Sequence, residues 1–208
     1  MPTHSVKNQY DRLATVYDRW WHGYVRRSLA VLLDRLDRPP EGRLLDVGCG
    51  TGALEKRLAH ERPGWRLTGV DLSGEMLSRA RRKLRDHPNA RFRQASAEAL
   101  PFPDDHFDRV VSASALHYFE DPATALREMH RVVRPGGRVL VLDWCRDFAA
   151  MKLLDAVLRW IDPAHRRCYT LGEARRMFER AGLSVRRATT HRLPWWWHLM
   201  LVEAKLQV

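Results

Sequence analysis

The sequence is poor in cysteine and has no long apolar segment, and both absences narrow the class of protein. Its three cysteines, Cys49, Cys145 and Cys168, include no CxxC pair or other metal-ligand spacing. We therefore expect no disulfide and no metal site, which suits a reducing cytoplasm. No segment approaches the roughly 20 apolar residues of a membrane-spanning helix, and the first residues lack the apolar core of a secretory signal. The predicted location is cytoplasmic.

Lysine is scarce as well, and the basic charge comes mainly from arginine. The net charge is +11 and the isoelectric point is near 10.3, but the arginines are spread over most of the chain. The densest cluster, residues 78–93, is typical of a solvated helix face. The chain also lacks the N/D-P-P-Y/F motif with which amino-methylating enzymes hold a flipped base. We expect no nucleic-acid partner, while contact with an anionic membrane surface stays open.

From residue 41 to residue 143, short apolar strands alternate with amphipathic helices. Candidate strands begin at Arg43, Arg66, Ala90, Phe107 and Gly137. Strands that alternate with helices of this length predict βαβ units and a parallel sheet with helices on both faces. The length of 208 residues fits a single domain.

The regions on either side of this core have a different pattern. Residues 1–40 predict an N-terminal helical cap that ends at a double proline and a glycine. Residues 144–182 predict a helical substrate-side segment whose apolar stripe suits either the core or a lid over an apolar acceptor. Residues 183–208 predict a β-hairpin with a short HRLP connection, which makes the last strand antiparallel to the others.

The stretch LLDVGCGTGAL, from Leu44 to Leu54, is the strongest functional signal. A buried strand ends at Val47, and three glycines then turn the chain into a helix. Glycine is needed where the backbone adopts unusual dihedral angles and lets a ligand approach closely. Asp71 ends the second strand, where a carboxylate can accept both hydroxyl protons of a ribose.

Two nucleotide-like cofactors fit these residues. Gly48, Gly50 and Ala53 satisfy the G-x-G-x-x-G/A pattern of nicotinamide enzymes, so an oxidoreductase is one interpretation. Three features disfavour the oxidoreductase interpretation: the additional Gly52, the position of Asp46 inside the strand and the antiparallel C-terminal pair of strands.

Several motifs, taken in order along the chain, resemble those of class I S-adenosylmethionine-dependent methyltransferases. They are YDRLATVYDRWW, LLDVGCGTG, GVDLSGEML, SAEALPFPDDHFDRVVSASALHYFED and REMHRVVRPGGRVLVLDW. The similarity is to the small-molecule group that includes the ubiquinone/menaquinone C-methyltransferases. It implies a Rossmann-like α/β fold with a seven-stranded, mostly parallel sheet, helices on both faces and an antiparallel C-terminal strand between the fifth and sixth. It also implies in-line methyl transfer to a small apolar or aromatic acceptor, leaving S-adenosylhomocysteine.

The resemblance assigns cofactor contacts to nine residues: Asp46, Gly48, Gly50, Asp71, Leu72, Met76, Ser96, Ala97 and Ser112. The glycine turn takes the methionine part of S-adenosylmethionine, and Asp46 shapes that turn or holds a water. Asp71 takes the ribose, Leu72 and Met76 take the adenine, and the backbone of Ser112 faces the methionine ammonium. The family usually has an acidic residue shortly before LPFP. This chain has Ala95-Ser96-Ala97-Glu98 there, so the adenine contacts depend on the Ser96 hydroxyl and the Ala97 backbone.

On the acceptor side, the resemblance indicates His117 as a general base, with a structural histidine that holds the loop as the alternative. Tyr10, Tyr17 and Tyr118 are candidates for an aromatic lining of the sulfonium. Trp195 is a candidate wall of the acceptor pocket. The sequence does not indicate an oligomeric state.

Two further functions stay open. Trp20, Trp21 and Tyr24 beside Arg26 and Arg27 give the N-terminal helix the aromatic and basic character of an interfacial helix. A membrane-associated methyltransferase acting on a quinone precursor or a phosphatidylethanolamine headgroup is therefore one alternative. The non-enzyme alternative is a regulatory protein that binds S-adenosylmethionine.

Overall fold

A computed structural model describes residues 21–36, 40–162, 164–194 and 197–206. Its seven strands are β1 (Gly42–Val47), β2 (Trp65–Asp71), β3 (Ala90–Gln94), β4 (Phe107–Ala113), β5 (Val133–Trp144), β6 (Leu183–Arg192) and β7 (His198–Leu206). The helices are α1 (21–33), α2 (Ala53–Glu61), α3 (Gly74–Lys83), α4 (Pro122–Val132), α5 (Ala149–Ile161) and α6 (Leu171–Arg180).

The strands form one sheet in the order β3-β2-β1-β4-β5-β7-β6. β7 is antiparallel to both of its neighbours, and the other pairings are parallel. The strand order reverses between β1 and β4, so the connections that leave the carboxyl ends of these two strands diverge. Open α/β sheets bind ligands in the crevice at such a switch point. The predicted fold, including the inserted antiparallel strand, is confirmed.

The core has two layers because neighbouring residues of a buried strand point to opposite faces of the sheet. One face packs on α4 and α6 through Val110, Met129 and Phe178. The other face packs on α1, α2 and α5, with Leu32 and Val111 among the residues it buries. Helices therefore cover both faces, while the ends of the strands stay accessible to a ligand.

The predicted starts of the first four strands lie within one residue of the observed ones, whereas β5 begins at Val133, four residues before the predicted Gly137. The last strand starts at His198, and Leu193 N–H donates to the Trp197 carbonyl at 2.9 Å in the turn before it. Because β6 continues to Arg192, the connection is residues 193–197 and the predicted HRLP connection is shifted. Trp197 thus precedes the strand, so the alternation of side chains along β7 does not determine which face of the sheet its ring occupies. Among the described residues, no helix is both long and apolar enough to cross a membrane.

Candidate functional site

The turn after β1 is built from glycines in left-handed backbone conformations. Gly48, Gly50 and Gly52 have φ angles of 80°, 52° and 72°. A Cβ on Gly48 would lie 2.4 Å from the Cβ of Ala115, so any side chain there collides with the segment after β4. A Cβ on Gly50 would meet nothing within 4 Å. The turn is therefore closed on its packed side and open at Gly50, where a ligand can lie against the backbone.

Asp71 is fixed in place by two backbone amides. Its Oδ2 accepts from Gly50 N–H at 2.9 Å, and its Oδ1 accepts from Ser73 N–H at 2.9 Å. The first of these bonds joins the end of β2 to the glycine turn after β1. The carboxylate lines the cleft, so both of its oxygens are held at defined positions there.

The cleft lies at the carboxyl ends of β1, β2 and β4 and encloses about 1150 Å³, including its open mouth. Seven of the nine predicted cofactor-contacting residues line it: Asp46, Gly48, Gly50, Asp71, Leu72, Met76 and Ala97. Leu72, Met76 and Ala97 give one end of the cleft the apolar walls that a flat heterocycle needs.

Two predicted residues sit behind this lining. The Ser112 hydroxyl is buried and donates to the Val47 carbonyl at 2.8 Å, which ties β4 to β1. The Ser96 hydroxyl contacts the Glu98 carboxylate. Tyr10, Tyr17 and Trp195 lie outside the described residues, so their predicted roles stay predictions.

Glu98 supplies the negative charge that is missing from its usual place before LPFP. Its side chain lines the cleft, and its Oε1 accepts from the N–H groups of Glu120 and Asp121 at 3.1 and 3.4 Å. The carboxylate is therefore present at this end of the cleft, two residues later in sequence than Ser96.

Beneath the glycine turn lie carboxyl groups with little contact to water. Asp46 is 3% exposed, and its Oδ1 has no hydrogen-bond partner among the described residues. Burial, and to a lesser extent the charge of Asp71, raise the pKa of Asp46 to about 8. Glu55, in the first turn of α2, is fully buried, and burial followed by the charge of Asp46 raises its pKa well above the ordinary value. Burial therefore favours the protonated form of both carboxyl groups.

Helix α1 forms one wall of the cleft through Tyr24, Val25, Ser28 and Leu29. The Tyr24 hydroxyl lies 2.6 Å from Ser114 Oγ and accepts a hydrogen bond from Trp144 Nε1 at 2.8 Å. Ser114 has a φ of 56°, which is uncommon for a residue other than glycine. This arrangement joins α1 to the ends of β4 and β5.

An aromatic stack continues from this wall. Trp197 stacks on Trp144 with ring centroids 4.9 Å apart, and it lies 5.7 Å from Tyr24. Of the three consecutive tryptophans, Trp197 is thus placed beside the residues that line the cleft.

His117 is buried behind the cleft lining. Its side chain is 1% exposed, and its Nδ1 lies 2.5 Å from Asp143 Oδ1. The ring stacks on Trp144 at 4.3 Å and lies 4.1 Å from the ring of Tyr118, which does line the cleft. The His117 carbonyl accepts from Arg166 N–H at 3.0 Å.

Sequence reasoning missed Tyr24, Ser114 and Arg166 as residues of the cleft. The sequence pattern indicates Tyr24 only as part of a membrane-facing helix. Arg166 lies in the connection between α5 and α6, and its Nε and Nη2 are buried without a hydrogen bond to any described residue. Ser114 lies within the SAEALPFPDDHFDRVVSASALHYFED motif, but no quoted motif includes Tyr24 or Arg166, which enter the cleft from distant parts of the chain.

Comparison with known proteins agrees with this geometry. Residues 45–141 match the model of a family described as a methyltransferase domain. A demethylmenaquinone methyltransferase of Chlorobaculum parvum is 36% identical over 147 residues, which cover 67% of this chain and 59% of that protein. The ubiquinone/menaquinone biosynthesis C-methyltransferase UbiE of Proteus mirabilis is 36% identical over 157 residues, which cover 69% and 57%. The chain thus spans less than two thirds of the length of these relatives.

Among solved structures, the YcgJ protein of Bacillus subtilis has the same fold. The two structures align with a TM-score of 0.77 and 23% sequence identity, over 88% of this chain and 99% of that one.

The buried carboxyl of Asp46 predicts a stability that falls as pH rises. The folded chain keeps a proton that the unfolded chain releases near the ordinary pKa of 3.8. The contribution of this proton to the free energy of unfolding is full below that value and is lost as pH rises toward about 8. The free energy of unfolding falls by no more than about 1.4 kcal/mol per pH unit. In urea denaturation across this range, Asp46→Asn should show a shallower decline than the wild type. Equal slopes for the two, with the exposed Asp86→Asn as control, would contradict the assignment.

Proposed function

Because the chain is a class I methyltransferase resembling the ubiquinone/menaquinone C-methyltransferases, we propose that it transfers the methyl group of S-adenosylmethionine to a small aromatic acceptor. The observation that carries the proposal is the glycine turn closed onto Asp71 through the Gly50 amide. This bond sets a pair of carboxylate oxygens beside an open stretch of backbone at the switch point of the sheet.

The residues of the cleft fit S-adenosylmethionine by their chemistry. The open side of Gly50 accommodates a chain pressed against the backbone, and Asp71 offers oxygens to a pair of vicinal hydroxyls. Leu72 and Met76 form an apolar slot for a flat base. The buried Asp46 Oδ1, without a partner among the described residues, can bind a polar group of the ligand.

S-adenosylmethionine supplies an electrophilic methyl group on a sulfonium. What the protein adds is position and exclusion of water, since holding two reactants in line can lower a barrier by about 7 to 11 kcal/mol. Asp71 and the glycine turn fix one reactant, and the wall formed by α1 covers it. The ring of Tyr118 lines the cleft, and an aromatic face near a cation contributes about 0.5 to 2 kcal/mol.

We propose that the acceptor is a phenol or a quinol and that Arg166 binds its oxygen. A carbon next to a phenolate oxygen is a good nucleophile, and a guanidinium lowers the pKa of the hydroxyl that must ionise. Arg166 lines the cleft with two buried nitrogens that bond to no described residue, so it is available for this role. The hydroxyl proton leaves to solvent. After the methyl group moves from sulfur to the ring carbon, the hydrogen on that carbon leaves as a proton and the oxygen regains one.

His117 in this scheme positions other groups. Its carbonyl holds the Arg166 amide, and its ring, fixed by Asp143, supports Tyr118 from behind. The geometry thus favours a supporting role over direct proton transfer to a ligand in the cleft.

Asp71→Ala should weaken binding of S-adenosylhomocysteine. Two ribose hydroxyls would lose their acceptor in a partly buried site, at a cost of about 1 to 3 kcal/mol, or roughly 5- to 150-fold in Kd. Isothermal titration calorimetry measures the change, with the exposed Asp86→Ala as control. Unchanged affinity, or wild-type binding of NAD in place of S-adenosylhomocysteine, would refute the placement of the cofactor.

The transferase activity is tested with isotopically labelled S-adenosylmethionine. A panel of quinols, phenols, amines and phospholipids is screened for labelled product by mass spectrometry. Label in a quinol or phenol supports the proposal, and label in an amine alone contradicts it. Binding of S-adenosylmethionine with no label transferred to any class would instead indicate a regulatory protein.

Arg166→Leu should lower kcat/KM for the acceptor by roughly 100-fold, the usual effect of removing one oxyanion partner. Affinity for S-adenosylhomocysteine should stay within about twofold, and the rate should rise at higher pH, where the acceptor ionises unaided. Arg166→Lys should recover part of the loss because it restores the charge. His117→Ala should lower turnover more than cofactor affinity. Equal loss of both in either variant would indicate a general folding defect.

A lipid in a membrane is the second candidate acceptor, and the exposed face of α5 favours it. Leu153, Val157, Trp160 and Ile161 recur at helical spacing on this face, with Trp160 89% exposed. Exposed Lys152 and Arg159 lie on the same helix. Aromatic and apolar residues flanked by cations are typical of helices that bind the surface of an anionic membrane. We propose on this basis a cytoplasmic chain that binds the membrane peripherally.

Vesicle flotation tests the proposed membrane binding. The wild type should float with vesicles containing phosphatidylglycerol and less with pure phosphatidylcholine. Trp160→Ser should lose most of this binding, and the exposed His60→Ser should keep it. If neither vesicle type carries the protein, or if Trp160→Ser floats like the wild type, the peripheral binding is refuted.

A further inference from the structure

Three potential metal ligands meet in a buried cluster beside the cleft. Asp155 lies in the middle of α5, while His165 and Cys168 lie in the connection to α6. All three side chains are buried. Arg166, which lines the cleft, lies between the two ligands of the connection, so the cluster supports one wall of the site.

The spacing of the cluster suits a single metal ion. Asp155 Oδ1 lies 2.9 Å from His165 Nε2, and Cys168 Sγ lies 4.0 Å from the same nitrogen. One ligand atom from each residue falls within 4.8 Å of the others. Ligand atoms around a tetrahedral zinc are about 3.3 to 3.6 Å apart, given Zn–N and Zn–O bonds near 2.0 to 2.1 Å and a Zn–S bond near 2.3 Å. The Oδ1–Nε2 and Sγ–Nε2 separations each differ from these values by roughly half an ångström.

We propose that Asp155, His165 and Cys168 bind one Zn²⁺. Thiolate, imidazole and carboxylate together are a zinc donor set, whereas Mg²⁺ and Ca²⁺ prefer oxygen alone. Binding replaces the thiol proton of Cys168 and the hydrogen bond between His165 and Asp155. One carboxylate and one thiolate neutralise the two charges of the ion, which suits a buried site.

Hydrogen bonding alone accounts for only part of this cluster. Asp155 Oδ1 accepts from Cys168 N–H at 2.7 Å and pairs with His165, which is enough to fasten α5 to the connection. The Cys168 thiol also interacts with the Asp155 carboxylate, and its distance of 4.0 Å from His165 Nε2 is long for a hydrogen bond. Asp155 Oδ2 is also buried without a hydrogen bond among the described residues, and Arg159 Nε lies 3.5 Å away. A bound metal ion would be coordinated by both the Cys168 sulfur and the Asp155 carboxylate.

His117 offers a further nitrogen close to the cluster. Its ring centroid lies 5.5 Å from that of His165, and its Nε2 is buried with no hydrogen bond to the described residues. The cluster thus borders the histidine that holds the Arg166 amide. Zinc would make the wall that carries Arg166 more rigid without touching the methyl donor.

The test is metal content and affinity in the full chain, and it does not require methyl transfer. Protein stripped with a chelator is incubated with Zn²⁺ and gel filtered, and zinc is then measured by mass spectrometry. About one ion per wild-type chain is expected, together with a raised Tm. Cys168→Ala should bind Zn²⁺ at least about 100-fold more weakly, beyond the usual effect of losing a residue that only supports a ligand. Cys145→Ala, which removes a buried cysteine outside the cluster, should bind like the wild type.

Cobalt provides a second readout in case Cys168→Ala does not fold. The variant Cys49→Ala/Cys145→Ala keeps Cys168 as its only cysteine, and with Co²⁺ it should show a thiolate-to-cobalt charge-transfer band. No retained zinc in the wild type, equal zinc affinity in Cys168→Ala, or no such band in the double variant would each overturn the proposal.

Discussion

The hydrogen bond from the Gly50 amide to Asp71 is the interaction on which the site depends. It joins the turn after β1 to the last residue of β2, and the amides of Gly48 and Cys49 add two bonds to the Val70 carbonyl. Two adjacent parallel strands are thereby locked at their carboxyl ends. The backbone surface at Gly50 and the two oxygens of Asp71 consequently form one rigid unit, and a rigid unit needs little reorganisation when a ligand binds.

The hydrogen bond between Gly50 and Asp71 also affects the charges around the turn. Bringing Asp71 to the turn places its charge near Asp46 and Glu55, which are already deprived of water. At Glu55 the effect of Lys83, whose Nζ donates to Thr51 Oγ1 at 3.0 Å, exceeds that of Asp71, and burial is the main cause of the raised pKa. Burial favours the protonated form of both carboxyl groups beneath the turn, while Asp71 presents its oxygens to the cleft.

Sequence alone predicted the parts of the site that depend on neighbouring residues. The glycine turn needs left-handed residues at fixed positions, and Asp71 follows a strand whose end is visible in the pattern of apolar residues, so local sequence is enough to place both. Local sequence could not place Tyr24, Ser114 and Arg166 in this way. Tyr24 and Ser114 are 90 residues apart in the sequence, and Arg166 lies in the irregular connection between α5 and α6. His117 shows the reverse case. Its motif indicated a residue of the pocket, yet packing against Trp144 and Asp143 puts its ring behind the wall.

The position of β7 in the sheet affects how the chain folds. β7 fills the gap between β5 and β6, with Leu201 paired to Leu142 on one side and Thr189 on the other. Before residues 198–206 are available, β6 has no partner and β5 has an open edge, both with apolar residues exposed. Unpaired strand edges of this kind promote association between chains. On the ribosome, the half of the sheet from β1 to β5 can assemble early, but this exposed gap persists until the last strand emerges.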